Sequence, residues 1–195
     1  MSHPKLVETN PKPFLADIEE IRRRAREQIM QGAITPSYEG DVQAAIEVLN
    51  QALATEIVCT LRYKNHYYMA RGLEGRAVAT EFLEHSREEQ DHADLIASRI
   101  TELGGEPNFN PDGLLTRAHS EYIGGPSLIE MIREDLIAER IAIDTYREMI
   151  RYFDVHDPTS RRVMESVLAK EEEHAEDLKN LLEDLDPRNS AQVAS

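Results

Sequence analysis

The chain has 195 residues, and it contains no tryptophan, a single cysteine and only 6% aromatic residues. One cysteine, Cys59, excludes a disulfide within the chain and any metal site built from cysteine pairs. No stretch approaches the ~18 consecutive apolar residues that a membrane-spanning helix needs, and the polar N-terminus lacks the apolar core of a signal peptide. We therefore expect a cytoplasmic protein without a membrane segment.

Positive charge is also scarce: the chain has 22 lysines and arginines against 37 aspartates and glutamates, which gives a net charge of −15. This excess of negative charge argues against non-specific electrostatic binding to nucleic acid or to an anionic membrane. The one basic run, residues 22–26, is preceded by Glu19 and Glu20, with only Ile21 between. DNA binding is therefore not expected.

The composition is rich in residues that favour helices, and the length suits one well-buried domain. Periodicity and end signals predict a short helix at 13–31 and four long helices at 42–71, 74–103, 127–153 and 158–185. Asp41 is predicted to cap the first long helix, and Ser127 with Glu130 forms a capping box at the third. Short connections inside each pair and a long segment between the pairs predict an all-α four-helix bundle, built from two antiparallel hairpins and a long crossover. The expected domains are a tail with a short helix (1–40), the bundle (41–186) and a polar tail (187–195).

Two of the long helices carry the same signature, a glutamate followed three residues later by a histidine: Glu89 with His92, and Glu171 with His174. Residues three apart lie on one face of a helix, so each pair can reach one point. A lone glutamate precedes each signature in an apolar stripe, and these two residues are Glu56 and Glu139. Four carboxylates and two imidazoles are the ligand set of a di-iron or di-manganese site in a four-helix bundle.

All six candidate ligands fall on the predicted buried stripes, near the middle of their helices. Buried carboxylates that converge repel one another, and divalent cations can hold them together in a dry core. The two halves of the chain also match, since Tyr63 and Tyr146 each follow the lone glutamate by seven residues. A pseudo-twofold axis through a metal site would produce this repetition.

Over residues 41–185 these motifs resemble the ferritin-like superfamily, and within it the bacterioferritins and the Dps-type mini-ferritins that have a bacterioferritin-type di-iron centre. The resemblance implies two irons per subunit, with Glu89 and Glu171 as bridging ligands. The remaining implied ligands are Glu56 and His92 for one iron, and Glu139 and His174 for the other. It also implies that Tyr63 and Tyr146 lie beside the ligands, where they can hydrogen-bond ligand carboxylates or supply an electron.

The chain departs from the bacterioferritin pattern at two places. Gln90 stands where bacterioferritins have the haem-ligating methionine, so no haem is expected. No counterpart is expected after Leu185 for the helix that lines the fourfold channels of the 24-subunit shell, and an extra N-terminal helix is predicted instead. We therefore expect a homo-oligomer that is a twelve-subunit shell, with a dimer as the alternative. Apolar positions off the stripes are predicted to form its interfaces: Ile57, Leu61, Tyr68, Ile129 and Ile143.

The implied activity is that of a ferroxidase, which oxidises Fe²⁺ to Fe³⁺ with O₂ or H₂O₂ for iron storage, detoxification and protection from oxidative stress. Three alternatives stay open at this point: a manganese catalase, a rubrerythrin-like peroxidase, and a Dps-type structural protein that protects DNA. Iron and manganese both suit the ligand set. His85, one turn before Glu89, has two interpretations, either a packing residue or a guide for incoming iron. His66 is interpreted as a packing or interface residue.

Overall fold

The computed structural model describes residues 17–27 and 29–185, and all regular structure within these ranges is helical. The chain divides into two compact units between Ser37 and Tyr38. The first unit contains helix α1 (Ile18–Arg24) and a 3₁₀ turn at Ile29–Gln31. The sequence had predicted one helix at 13–31, of which residues 13–16 lie outside the described ranges. Helix α1 ends early because none of its residues is buried, and short helices depend on packing for their stability.

The second unit is the predicted bundle. Its helices are α2 (Val42–Met69), α3 (Gly72–Glu102), the short α4 (Leu114–Arg117), α5 (Leu128–Phe153) and α6 (Pro158–Leu185). Helix α2 packs mainly on α3, and α5 packs mainly on α6, while α2 also contacts α5 and α3 contacts α6. The two hairpins and the long crossover of residues 103–127 confirm the fold class expected from the sequence.

Side chains at the helix ends explain where the long helices begin. The Asp41 carboxylate accepts a hydrogen bond from the amide of Ala44 at 3.1 Å, and the Ser127 hydroxyl accepts one from the amide of Glu130 at 3.2 Å. The capping box at Ser127 is only half formed, because the Glu130 carboxylate contacts Arg133 at 3.2 Å instead. Helix α3 begins with Gly72, whose φ of +87° lies in the left-handed region, where glycine makes the tight turn from α2 without the backbone strain of other residues.

Helix α2 is long and apolar enough to cross a membrane by length and composition, contrary to the expectation that no segment of the chain is. However, 56% of its most apolar stretch is buried inside the bundle. The same helix carries Glu56 and Arg62, both 1% exposed, into the interior. These features identify α2 as a core helix of the bundle.

A buried ionic network joins α2 to α5. Asp135, on α5, accepts a hydrogen bond from Arg62 Nε at 2.8 Å and contacts His66 Nδ1 at 2.7 Å. The guanidinium of Arg62 also donates to the backbone carbonyl of Glu121, in the crossover, at 2.7 Å. His66 is fully buried, so it is a core residue with an ionic partner rather than an interface residue.

The apolar positions predicted to form interfaces differ in exposure. Leu61 is 49% exposed and Tyr68 is 66% exposed, both on α2. Ile57 and Ile129 are half-buried. Ile143 is buried, contrary to the prediction, because the packing of α5 against its neighbours covers more than the heptad stripe.

Candidate metal centre

The bundle brings all six sequence-predicted ligands together in its interior. Helices α2 and α5 supply one glutamate each, and α3 and α6 supply one Glu–His pair each. Five of the six residues are 1% exposed, and the sixth, His92, is 9% exposed. These residues are Glu56, Glu89, His92, Glu139, Glu171 and His174.

The six side chains form two overlapping groups, within each of which the candidate ligand atoms lie no more than 4.8 Å apart. One group is Glu56, Glu89, His92 and Glu171, and the other is Glu89, Glu139, Glu171 and His174. The residues common to both groups are Glu89 and Glu171. Two carboxylates shared between two four-residue groups are what a dinuclear site with two bridging ligands requires.

The imidazole of His92 turns its Nδ1 atom toward the carboxylates. This nitrogen lies 3.3 Å from Glu56, 3.4 Å from Glu89 and 3.0 Å from Glu171. The spacing of three residues places Glu89 and His92 on the same face of α3, and that face meets α2 and α6 in the core. One ring nitrogen therefore faces the three carboxylates of its group.

His174 also turns its Nδ1 atom toward the carboxylates, and its other ring nitrogen, Nε2, has a carboxylate partner of its own. Its Nδ1 lies 3.4 Å from Glu89, 3.5 Å from Glu171 and 3.9 Å from Glu139. Its Nε2 is 2.8 Å from the carboxylate of Glu88, which is held in turn by Lys170 at 3.2 Å. A carboxylate that accepts from one ring nitrogen fixes the tautomer and directs the other nitrogen inward. No pattern in the sequence indicates this role for Glu88.

Two tyrosines connect the halves of the centre crosswise. The hydroxyl of Tyr63, on α2, donates to the carboxylate of Glu139, on α5. The hydroxyl of Tyr146, on α5, donates to the carboxylate of Glu56, on α2. Each tyrosine thus supports the carboxylate of the opposite hairpin, and the arrangement repeats the internal symmetry of the sequence.

The four carboxyl groups divide into two kinds by their electrostatic environment. Burial raises the pKa of Glu56 and of Glu139 well above the usual range, and the nearby carboxylates of Glu171 and Glu89 raise it further. Burial also opposes ionisation of Glu89 and Glu171, yet the close contacts with the surrounding imidazole and acid groups lower the pKa of both. The pair common to both groups is therefore the ionised pair when no cation is bound.

The imidazoles balance this charge. Burial alone would lower the pKa of each ring, but the adjacent carboxylates raise the pKa of His174 to about 10 and that of His92 as well. Without a cation, the centre thus holds two imidazolium ions beside two carboxylates. Metal ligation needs the neutral imidazole, so a cation that binds here displaces these protons.

Several polar atoms that face the centre have no hydrogen-bond partner among the described residues. They include one oxygen of Glu89, one of Glu139, both oxygens of Glu171 and Nδ1 of His174. Buried polar atoms are normally satisfied, and an unsatisfied cluster calls for an explanation such as a bound ion. The donor set of carboxylate oxygens and imidazole nitrogens fits divalent iron, manganese or zinc.

A seventh residue, His85, adjoins the centre on α3. Its ring stacks on that of His174 at a centroid distance of 4.0 Å, and it is 1% exposed. Burial and the adjacent His174 lower the pKa of His85 to about 4, so the ring is neutral at physiological pH. Its position on the face of Glu89 had been recognised in the sequence, whereas the stacking on a residue of α6 had not.

Comparisons with known proteins agree with this architecture. A model of the ferritin-like domain matches residues 46–187. The chain is 34% identical over 139 residues to a bacterioferritin of Rhodobacter capsulatus, covering 70% of this chain and 81% of that protein. It is 33% identical over 141 residues to a DNA protection during starvation protein of Pyrococcus furiosus, covering 69% and 74% of the two chains.

Solved structures give the same result. The bacterioferritin-related protein of Bacteroides fragilis, a dodecameric thioferritin, superposes with a TM-score of 0.73 and 32% identity, covering 77% of this chain and 91% of that one. The Dps protein of Thermosynechococcus elongatus shares the fold with a TM-score of 0.69. The protein therefore belongs to the ferritin-like family, as the sequence motifs indicated.

Proposed function

We propose that this protein is a ferroxidase that oxidises Fe²⁺ to Fe³⁺ at the candidate metal centre, with O₂ or H₂O₂ as the electron acceptor. The observation that carries the proposal is the pair of overlapping ligand groups that share Glu89 and Glu171. Two Fe²⁺ ions held side by side can deliver two electrons together to one oxidant molecule. The bundle of residues 41–186 would carry this activity.

In this proposal the six ligands are those expected from the sequence, with Glu89 and Glu171 bridging two substrate irons. Carboxylate ligands favour Fe³⁺ over Fe²⁺, because hard anionic oxygens stabilise the higher charge. Tyr63 and Tyr146 hold Glu139 and Glu56 by hydrogen bonds, which orients the terminal carboxylates toward the ions. Both phenol groups are also close enough to supply an electron through these hydrogen bonds.

The family and the exposed apolar surface support a proposal for the assembly. The related protein of Bacteroides fragilis is dodecameric, and a twelve-subunit shell is the assembly we propose for this chain. Exposed apolar residues on α2, Leu61 and Tyr68, would lie in its interfaces. Ferric product would then collect inside the shell as stored iron. We place the protein in the cytoplasm.

A DNA-protecting role is the second candidate, because one relative is named a DNA protection during starvation protein. The basic run offers little support for it. Arg23 contacts Glu20 at 2.7 Å and also pairs with Glu27, while Arg24 contacts Glu20 at 3.4 Å. Acidic residues close by in the sequence thus neutralise part of the charge that would meet phosphates.

The test of the ferroxidase proposal is a stopped-flow measurement of Fe²⁺ oxidation by wild-type protein and by Glu89→Ala. Because Glu89 belongs to both ligand groups, we expect the variant to lose the rapid phase completely while its far-UV circular dichroism keeps the helical signal. Wild-type rates in a well-folded Glu89→Ala protein would overturn the assignment.

A matched control is Asp94→Asn, which removes an exposed carboxylate from the same helix. Its oxidation rate should equal that of the wild type. Metal analysis of protein purified without oxygen separates the alternatives, since a manganese catalase would contain manganese and would decompose H₂O₂ without consuming Fe²⁺.

A further inference from the structure

A second group of possible metal ligands lies outside the centre, where α3 and α6 meet near the surface. It consists of Glu81 and His85 on α3 and Asp177 on α6. Their candidate ligand atoms lie within 4.8 Å of one another. The side chain of Glu81 is 34% exposed and that of Asp177 is 44% exposed, so this group opens to solvent while the centre does not.

His85 forms the inner wall of this group, and its side chain is 2% exposed. Its Nε2 lies 3.4 Å from a Glu81 oxygen and 4.0 Å from an Asp177 oxygen. Its Nδ1 is buried and has no hydrogen-bond partner among the described residues. A buried imidazole whose Nε2 faces two carboxylates is placed to act as a ligand to a cation between them, and no described residue holds the ring in another role through Nδ1.

Among the residues that the structure describes, no lysine or arginine balances the two carboxylates. Within the described ranges, neither Glu81 nor Asp177 has a lysine or arginine at salt-bridge distance, whereas nearby Lys170 is engaged by Glu88 and Glu173. Burial raises the pKa of Glu81, and the charge of Asp177 raises it further, which reflects the crowding of like charges. A divalent cation between the two carboxylates would relieve this repulsion.

We propose that Glu81, His85 and Asp177 bind a third divalent transition-metal ion where α3 and α6 meet near the surface. One imidazole nitrogen and two carboxylates suit Fe²⁺, Co²⁺ or Zn²⁺ better than Mg²⁺ or Ca²⁺, which prefer oxygen ligands alone. Three protein ligands leave open coordination positions for water, so an ion held here can exchange.

The position of His85 connects this outer site to the centre. The same residue belongs to a group with Glu139 and His174, whose ligand atoms also lie within 4.8 Å of one another. An ion at the outer site therefore has a ligand that also reaches the inner site, and the outer site would load the centre. This loading role rests on the proposed ferroxidase function, whereas binding of the third ion does not.

The test uses Co²⁺ as the probe, because it takes the same ligands as Fe²⁺ and, unlike Fe²⁺, is not readily oxidised by air at neutral pH. Equilibrium dialysis followed by metal analysis of the full-length assembled protein should give three Co²⁺ per chain for the wild type. The double variant Glu81→Gln/Asp177→Asn should bind two. The matched control Asp94→Asn/Glu176→Gln removes two exposed carboxylates from the same two helices and should still bind three.

Anomalous scattering at the cobalt edge then places each ion in crystals of the same proteins. A peak among Glu81, His85 and Asp177 that disappears in the double variant supports the proposal. A wild-type map with peaks at the centre alone, or a double variant that keeps its outer peak, overturns it. An outer peak without any peak at the centre would support this site and overturn the proposed function, so the two failures are distinguishable.

Discussion

Cation binding at the centre should depend steeply on pH, because protons occupy the site when metal does not. The pKa of His174 is raised to about 10 and that of His92 is raised as well, so both rings are charged at neutral pH. A metal ion can bind either nitrogen only after its proton has left. The protons and the metal ions therefore compete for the same two rings.

The size of this competition follows from the pKa of His174. At pH 7 the ring lies about three pH units below its pKa, and at 1.36 kcal/mol per unit its deprotonation costs about 4 kcal/mol. An imidazole with an ordinary pKa of about 6.5 would cost almost nothing at the same pH. For each proton that the metal displaces, the metal-binding constant should rise about tenfold for each unit by which the pH increases.

With two imidazolium protons displaced, the product of the two Co²⁺ binding constants should rise about a hundredfold per unit between pH 6 and pH 8. Any proton still held by Glu56 or Glu139 would make this slope steeper, because burial and nearby carboxylates raise the pKa of both groups. Calorimetry in buffers of different ionisation enthalpy counts the released protons directly. The Glu81→Gln/Asp177→Asn protein is the suitable sample, since it isolates the centre from the outer site.

The same shift fixes the pH dependence of the metal-free fold. A raised pKa means that folding favours the protonated ring, so the stabilisation from His174 is complete below pH ~6.5 and is lost as the pH rises through about 10. Thermal unfolding of metal-free protein should therefore occur at lower temperature at pH 10 than at pH 7.

The competition between protons and metal ions would be refuted by a metal affinity that does not change with pH. Release of less than one proton per pair of bound ions would also refute it.

Three other predictions concern haem, the buried ionic network and the assembly. Because Gln90 stands at the position of the haem-ligating methionine, protein expressed with added haem precursor should show no Soret absorbance, and a stoichiometric haem would contradict this. Asp135→Ala should lower the free energy of unfolding by about 3–5 kcal/mol in urea denaturation at fixed protein concentration, because it leaves the buried Arg62 without its ionic partner. The control Glu148→Ala removes an exposed ion pair and should change the free energy of unfolding by less than about 1 kcal/mol. Equal effects of the two substitutions would show that the buried ion pair stabilises the fold no more than an exposed one does. Sedimentation should show an oligomer for the full chain, and a chain that starts at Tyr38 should differ from it in assembly or solubility, whereas a full-length monomer would contradict the shell.

Much of the fold could be predicted because the four long helices have strong heptad stripes and clear end signals. Asp41 and Ser127 both cap as expected, since an N-cap depends only on residues within one turn. The N-terminal helix was predicted too long. Its periodicity resembled that of the core helices, but its apolar face is not buried, and periodicity alone does not reveal burial.

The candidate ligands could also be predicted, because a glutamate and a histidine three apart must share a helix face whatever the tertiary structure is. The partners of those ligands could not. Glu88 contacts His174 across 86 positions of sequence, and Glu81 meets Asp177 across 96, so only the packing of α3 against α6 brings them together. Half-exposed acidic residues on a strongly acidic chain carry no distinguishing pattern.

The sequence by itself determined the helices, the hairpin repeat and the set of carboxylates and imidazoles, because all of these depend on spacing along single helices. Tertiary structure alone decided which of these groups meet. It placed Glu89 and Glu171 in both candidate ligand groups, joined Tyr63 and Tyr146 to carboxylates of the opposite hairpins, and put His85 in two further groups of candidate ligands. The physical reason is that register and rotation between packed helices are set by the whole core, which no local pattern encodes.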